Sequence, residues 1–221
     1  MTSIELPSSV TSIGQGAFCA CSGMTSVVIP SSVTIIGDYA FASCSNLTSV
    51  NIPSGVTSIE KEVFKGCNSL KSVIIEDGTE SLIINSNYKT SSFCDCPIES
   101  LYLGRNIIYS ESPFAGKSSI TSVTIGNNVS RIEDNAFQGC IGITAIDLPN
   151  RKNSIGNNAF QGCIGITVIE LPNRMNSVGQ NAFAACSGLT TLSLPNSMTS
   201  IGEYSQEIKD ETNVEIIPVS A

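Results

Sequence analysis

Eight phenylalanines keep a beat that few folds tolerate. Phe18, Phe41 and Phe64 recur at a constant spacing of 23, as do Phe114, Phe137, Phe160 and Phe183. Phe93 falls between the two sets, at spacings of 29 and then 21. A cysteine follows most of them by three places, at Cys21, Cys44, Cys67, Cys96, Cys140, Cys163 and Cys186, while Lys117 holds that place after Phe114. Prolines keep the same phase at Pro7, Pro30 and Pro53, then at Pro149, Pro172, Pro195 and Pro218. A fixed period of this length means that one small structural unit is copied and stacked. A unit this short cannot bury its own apolar face, so a core forms only between copies. The chain must therefore fold as a solenoid.

Within a unit, stretches such as Thr48-Ser49-Val50-Asn51-Ile52 alternate with period two, as a strand with one buried face does. The proline that follows ends the strand by removing an amide donor. Val56-Thr57-Ser58-Ile59 reads as a second short extended segment on the opposite side. Gly14, Gly37, Gly156, Gly179 and Gly202 come next, where a sharp turn is expected. The A-F-x-x-C-x-x-L stretch, with apolar places three apart, predicts a single helical or 3-10 turn. Ten strands are expected, ending near Leu6, Ile29, Ile52, Ile75, Leu103, Ile125, Leu148, Leu171, Leu194 and Ile217.

The strand L/V-x-I/L-P followed by S-V-T-S-I-G-x-x-A-F-x-x-C-x-x-L resembles the BspA-type leucine-rich repeat. Clear instances are Ile52-Pro53-Ser54-Gly55-Val56-Thr57-Ser58-Ile59 and Ala136-Phe137-Gln138-Gly139-Cys140. The resemblance covers nearly the whole chain. It implies a mainly β leucine-rich-repeat solenoid with one parallel sheet of about ten strands on its concave face. It also implies surface or secreted proteins of bacteria and some protists, several of them linked to adhesion.

Two places depart from the repeat, and the N-terminal end joins it in mid-phase. Adding 23 to Phe183, Cys186, Leu189 and Leu192 gives Gln206, Lys209, Thr212 and Glu215, so four core-type places become polar. Residues 1–202 are accordingly read as the solenoid and 203–221 as a polar C-terminal cap that stops end-to-end aggregation. A charged interaction tail is the alternative. At the other end, Thr2 to Pro7 already fits the strand phase, which suggests a fragment of a longer array or a first coil covered by a partner. In the middle, an irregular insertion spans about 76–92, with Leu82-Ile83-Ile84 as a short strand between two turns. It reads either as a binding loop or as a tolerated lengthening.

Composition excludes much chemistry. Eleven basic against nineteen acidic residues leave a net charge of −8, which repels phosphate backbones and argues against nucleic-acid partners. There is no histidine, so Ser–His and Cys–His catalysis and His-containing metal sites are excluded. No apolar run approaches a membrane span, and the start, MTSIELPSSV, has no signal-peptide pattern. Cysteines placed one repeat apart form a straight row, whereas zinc needs converging ligands, so the row is read as buried structural thiols. Cys19 and Cys94, each two residues before a ladder cysteine, give weak Cys-x-Cys signals, with no basic neighbour visible in sequence. Asp147 and Glu170 are equivalent places on neighbouring coils, about 5 Å apart by sheet spacing. That separation follows from any stacked repeat, so solvated like charges are preferred over a glycosidase pair or a Ca²⁺ site. The sequons at Asn46 and Asn128 matter only in a eukaryotic secretory pathway. No catalytic residue, cofactor or metal site is assigned.

The outward positions of the strands form two columns. One is mostly small and polar, through Ser3, Ser26, Ser49, Ser72, Ser100 and Ser122. The other varies and holds Asn51, Ile74, Tyr102, Asp147 and Glu170. These five are the candidate ligand-binding residues of the concave face, with Ile74 and Tyr102 as apolar anchors and the acids setting charge preference. The expected function is a non-enzymatic binding or adhesion module that contacts protein or glycan on a host or microbial surface. A structural spacer and a cytosolic interaction scaffold are the alternatives.

Overall fold

The computed structural model describes residues 2–86, 91–151 and 153–202, together with the backbone of 215–219. It divides into two compact units, Met1–Pro113 and Phe114–Ala221. Each is a β-solenoid of stacked coils, and no helix occurs among the described residues.

In the first unit, the front strands are Ser3–Glu5, Ser26–Val28, Ser49–Ile52, Ser72–Ile75 and Ser100–Arg105. All pairings are parallel and in repeat register, with Ser49 opposite Ser72 and Ser72 opposite Ser100. Shorter back strands form a second parallel ladder through Ser12–Ile13, Ile35–Ile36, Ser58–Ile59, Leu82–Ile84 and Ile107–Ile108. In the second unit, Ser122–Asn128 pairs with Ala145–Asp147, and Val168–Glu170 pairs with Thr191–Pro195, which in turn pairs with Glu215–Val219. Its back ladder runs through Arg131–Ile132, Ser154–Ile155, Ser177–Val178 and Ser200–Ile201. The ten front strands match the expected set. Within each unit their hydrogen-bonded ladders are segmented, with separate groups on either side of the gap between Val28 and Ser49 and of that between Asp147 and Val168. Two of the three strands that lack the closing proline run on, to Arg105 and to Asn128, whereas Ser72–Ile75 stops before Glu76.

The stretch around each phenylalanine is a run of β-turns rather than the helical or 3-10 turn expected. Amides alternate in direction. Ala17, Cys19 and Cys21 donate to carbonyls three residues back, while Gly16, Phe18 and Ala20 donate to Asp38, Ala40 and Ala42 of the next coil. Two left-handed residues in most coils make this possible, such as Tyr39 (φ 57°) and Ser43 (φ 60°) around Phe41. A positive φ at the third place of a turn flips the preceding peptide, so its amide faces outward to the next coil. A helix would direct every amide back into its own turns. The glycines at 37, 156, 179 and 202 are also explained differently from the sharp turn expected. None has positive φ; each is needed because a Cβ would strike the backbone of the preceding coil, as at Gly179, where it would lie 2.6 Å from Asn157 N.

Between front and back ladders lies a core of small aliphatics and one aromatic file per unit. Phe18, Phe41, Phe64 and Phe93 stack at centroid distances of 5.3, 5.5 and 5.3 Å. Phe114, Phe137, Phe160 and Phe183 stack at 6.1, 5.3 and 5.8 Å. The ladder cysteines serve this file. Six of the seven thiols donate to the carbonyl of the phenylalanine one coil earlier: Cys44 to Phe18 (3.1 Å), Cys67 to Phe41 (3.2 Å), Cys96 to Phe64 (3.0 Å), Cys140 to Phe114 (3.0 Å), Cys163 to Phe137 (3.1 Å) and Cys186 to Phe160 (3.1 Å). Those carbonyls also accept an amide from their own turn, such as Cys44 N to Phe41 O at 3.2 Å, so both lone pairs are used.

Leu82–Ile84 forms the expected short strand and fills the back-ladder place of its coil, pairing with Ser58–Ile59 and Ile107–Ile108. Beyond it, the buried Ser92 hydroxyl donates to the carbonyls of Glu60 (2.7 Å) and Asn85 (3.0 Å), fastening the lengthened coil to its neighbour. The turn expected at 85–88 falls partly outside the described residues. So does most of the cap expected at 203–221, including Gln206, Lys209 and Thr212. Its one described strand, Glu215–Val219, is shifted from the simple count. Leu192 lies opposite Ile216 rather than Glu215 in the ladder.

Candidate functional site

Three of the five candidate residues come together in the first unit. Strand register sets Asn51 opposite Ile74 and Ile74 opposite Tyr102, which makes one outward column across three strands. Ile74 is 42% exposed. The two outer members are held from one side by the loop that follows the middle strand. Asn51 Nδ2 donates to Glu76 Oε1 at 2.5 Å, and Tyr102 Oη donates to Asp77 Oδ2 at 2.9 Å. Glu76 Oε2 also accepts from Ser54 N at 3.1 Å. The Tyr102 phenol is pushed above its ordinary value by desolvation first and by its hydrogen bond to the Asp77 carboxylate second.

Beneath this loop lies a residue that no repeat pattern marks. Arg105 is 1% exposed. Its Nη1 and Nη2 donate to the carbonyls of Ser54 and Pro53, each at 2.9 Å. Nε is buried without a hydrogen-bond partner. Burial lowers the pKa of the guanidinium, and the nearby Glu76 charge raises it again. Gly78 allows the approach, because a Cβ there would lie 3.1 Å from Arg105 Cδ. Arg105 thus fixes the end of one front strand against the next coil but one, and with it the loop that carries Glu76 and Asp77. The visible clue was the missing proline at this phase.

Asp147 and Glu170 belong to the second unit. Both are exposed; Asp147 is in register with Thr124 and Glu170 with Ser193. Their strands lie in separate hydrogen-bonded ladders, and no bond joins the two carboxylates into a pair. The cysteines outside the ladder differ from each other. Cys19 is exposed, whereas Cys94 is half-buried with Lys65 at the equivalent place one coil earlier, a basic neighbour that the sequence did not reveal.

A short constant repeat, parallel front and back ladders and a stacked Phe–Cys file now stand together. The family model for the BspA type leucine rich repeat region matches residues 1–112 and 108–217, in six copies. The chain belongs to the BspA-type leucine-rich repeat family. Among solved structures, this BspA-type chain resembles a leucine-rich repeat protein from Bacteroides ovatus, with 21% identity and a TM-score of 0.62 over 99% of this chain and 66% of that one. It also resembles the T. pallidum leucine rich repeat protein, with 25% identity and a TM-score of 0.56 over 74% of this chain and 77% of that one. A leucine rich cell surface protein from Faecalibacterium prausnitzii matches at 22% identity and a TM-score of 0.48 over 100% of this chain and 60% of that one. The chain therefore spans just under two thirds of the Bacteroides ovatus protein and 60% of the Faecalibacterium one. No curated protein matches. Within the described residues, no helix is long and apolar enough to cross a membrane.

Proposed function

We propose that this BspA-type chain is a non-enzymatic binding module of a surface or secreted protein, and that the Asn51–Ile74–Tyr102 column contacts a protein partner. The observation that carries this reading is the column itself. An exposed aliphatic side chain sits between a tyrosine and an asparagine that two carboxylates hold in place. Fixing those side chains before binding lowers the entropy lost in the complex. Ile74 and the Tyr102 ring supply the apolar contact around which interface energy concentrates. Asp147 and Glu170 lie on the other unit and are not part of this column. The surface role rests on the family, and the non-enzymatic role on the family together with the missing histidine.

The test is a surface-plasmon-resonance screen of the intact chain against purified extracellular-matrix and bacterial surface proteins. Ile74→Asp and Tyr102→Ala run beside it, each checked by circular dichroism. A partner whose affinity falls at least tenfold in both variants supports the column. A partner that binds both variants as well as the parent refutes it, and no partner at all favours a spacer.

A further inference from the structure

The second unit carries a different and independent feature. At the end of four front strands the repeat places Pro-Ser-Ser or a close variant: Pro7-Ser8-Ser9, Pro30-Ser31-Ser32, Pro53-Ser54-Gly55 and Pro195-Asn196-Ser197. Two successive coils break this pattern in the same way, with Pro149-Asn150-Arg151 and Pro172-Asn173-Arg174. Both arginines are exposed, and among the described residues neither makes an ion pair or hydrogen bond through its side chain. The two loops are stacked: Asn176 N donates to Asn153 O at 3.0 Å, and Ser154 is in register with Ser177. Their backbones are therefore about 5 Å apart along the stack.

The same loops border two adjoining open depressions, one of which Arg174 lines. One of ≈330 Å³ is lined by Asn150, Glu170, Asn173 and Ser193, with Leu148 and Leu171 among its walls. The other, of ≈310 Å³, is lined by Asn173, Arg174, Asn176 and Ser197, so Asn173 borders both. These volumes lie at the lower end of the ~300–1,000 Å³ range of small-ligand sites.

We propose that this edge binds an acidic oligosaccharide, a hydroxyl-rich ring that bears a carboxylate or sulfate. Guanidinium groups match planar oxyanions with two parallel hydrogen bonds, and two arginines on adjacent coils can share one such group. The side-chain amides of Asn150, Asn173 and Asn176 both donate and accept, as sugar hydroxyls require. Glu170 accepts from hydroxyls on the face of the ring away from its anionic group. Leu148, half-buried at the edge, offers apolar surface to the C–H face of the ring. The tandem arrangement has a simple origin. Residues 134–156 and 157–179 differ at five of 23 places, so one coil copied with its Asn-Arg loop doubles the site.

The test is isothermal titration calorimetry of the full chain with a galacturonate trisaccharide, its methyl ester, a sulfated galactose trisaccharide and inorganic sulfate. Binding of one acidic trisaccharide is expected, with at least tenfold weakening in Arg151→Gln/Arg174→Gln and at 0.5 M salt, and with no binding of the ester. Whichever acidic sugar binds identifies the anionic group. Tyr102→Ala, in the other unit, is expected to bind the sugar like the parent, so this site and the protein-binding column stand or fall separately. Equal binding of the ester overturns the proposal, as does an unaffected double variant, sulfate alone binding as tightly, or no heat with any sugar.

Discussion

The regular coils from Arg131 to Val178 and the irregular coil from Glu76 to Ile108 solve one problem in two ways. In the regular coils, every rung repeats the same small set of contacts: a stacked ring, a thiol on the carbonyl of the previous ring, and alternating amides to the next coil. In the irregular coil the beat is lost, yet Phe93 still stacks on Phe64 and Cys96 still donates to the Phe64 carbonyl, so single fastenings are added to the repeated ones. Arg105 ties a strand end to Pro53 and Ser54, and Ser92 ties the lengthened coil to Glu60 and Asn85. The exposed column of Asn51, Ile74 and Tyr102 lies beside these unique contacts. Repetition distributes stability evenly, whereas an interruption concentrates it on a few residues and leaves room for a distinct surface.

Perturbing the whole ladder should have the largest effect. Burial pushes the thiols of Cys140 and Cys186 up to about 11 and that of Cys44 up to about 12, and Cys163 is raised by the same cause. Cys67 is raised too, through its hydrogen bond with Cys96 and then burial. These native values lie above those of the unfolded chain. Their contribution is therefore intact below about pH 9 and is lost as pH rises toward about 11–12. Between pH 8 and 10.5 the ladder should lose on the order of 5 kcal/mol, read as a falling urea midpoint. A flat midpoint across that range, or rapid alkylation of the ladder thiols in the native protein, would contradict the buried row.

Next comes a single rung. Phe160 is fully buried between Phe137 and Phe183, and Phe160→Ala should cost about 3–5 kcal/mol in urea unfolding. A near-neutral change would remove the aromatic file from the energetics of the regular coils. The smallest of the three effects tests the irregular coil. Arg105→Ala leaves two carbonyls without their donors, and about 2–3 kcal/mol of destabilisation is expected. Amide exchange should rise mainly around residues 53–54 and 76–78. Exchange that rises equally in all coils would erase the contrast between repeated and single fastenings.

Much of the fold was legible because a solenoid writes its register into the spacing of its core. The phenylalanines, cysteines and prolines located ten front strands, and period-two alternation correctly set Asn51, Ile74 and Tyr102 on one outward face. The turn geometry was hidden. Its left-handed places are occupied by Tyr39, Glu62, Asn158 and Ala185 as well as by glycines, so composition did not mark them. The support of the candidate column was hidden too. Glu76 and Asp77 lie where the insertion breaks the count, and a buried arginine contradicts the hydrophobic pattern by which core positions are recognised. The Asn-Arg edge was not read from the sequence at all; the stacked loops bring it out by placing its two copies beside open depressions.

The alternating amides have a further consequence. Half of the turn donors of a coil are satisfied by the coil that follows, and the same bonds recur at each step, so one coil can be inserted between two others with every old partner replaced by an equivalent new one. Length can then change by whole rungs without redesign of any rung. The near-identity of residues 134–156 and 157–179 is what such growth leaves behind: a gene can lengthen this protein by copying, and each copy arrives already able to dock.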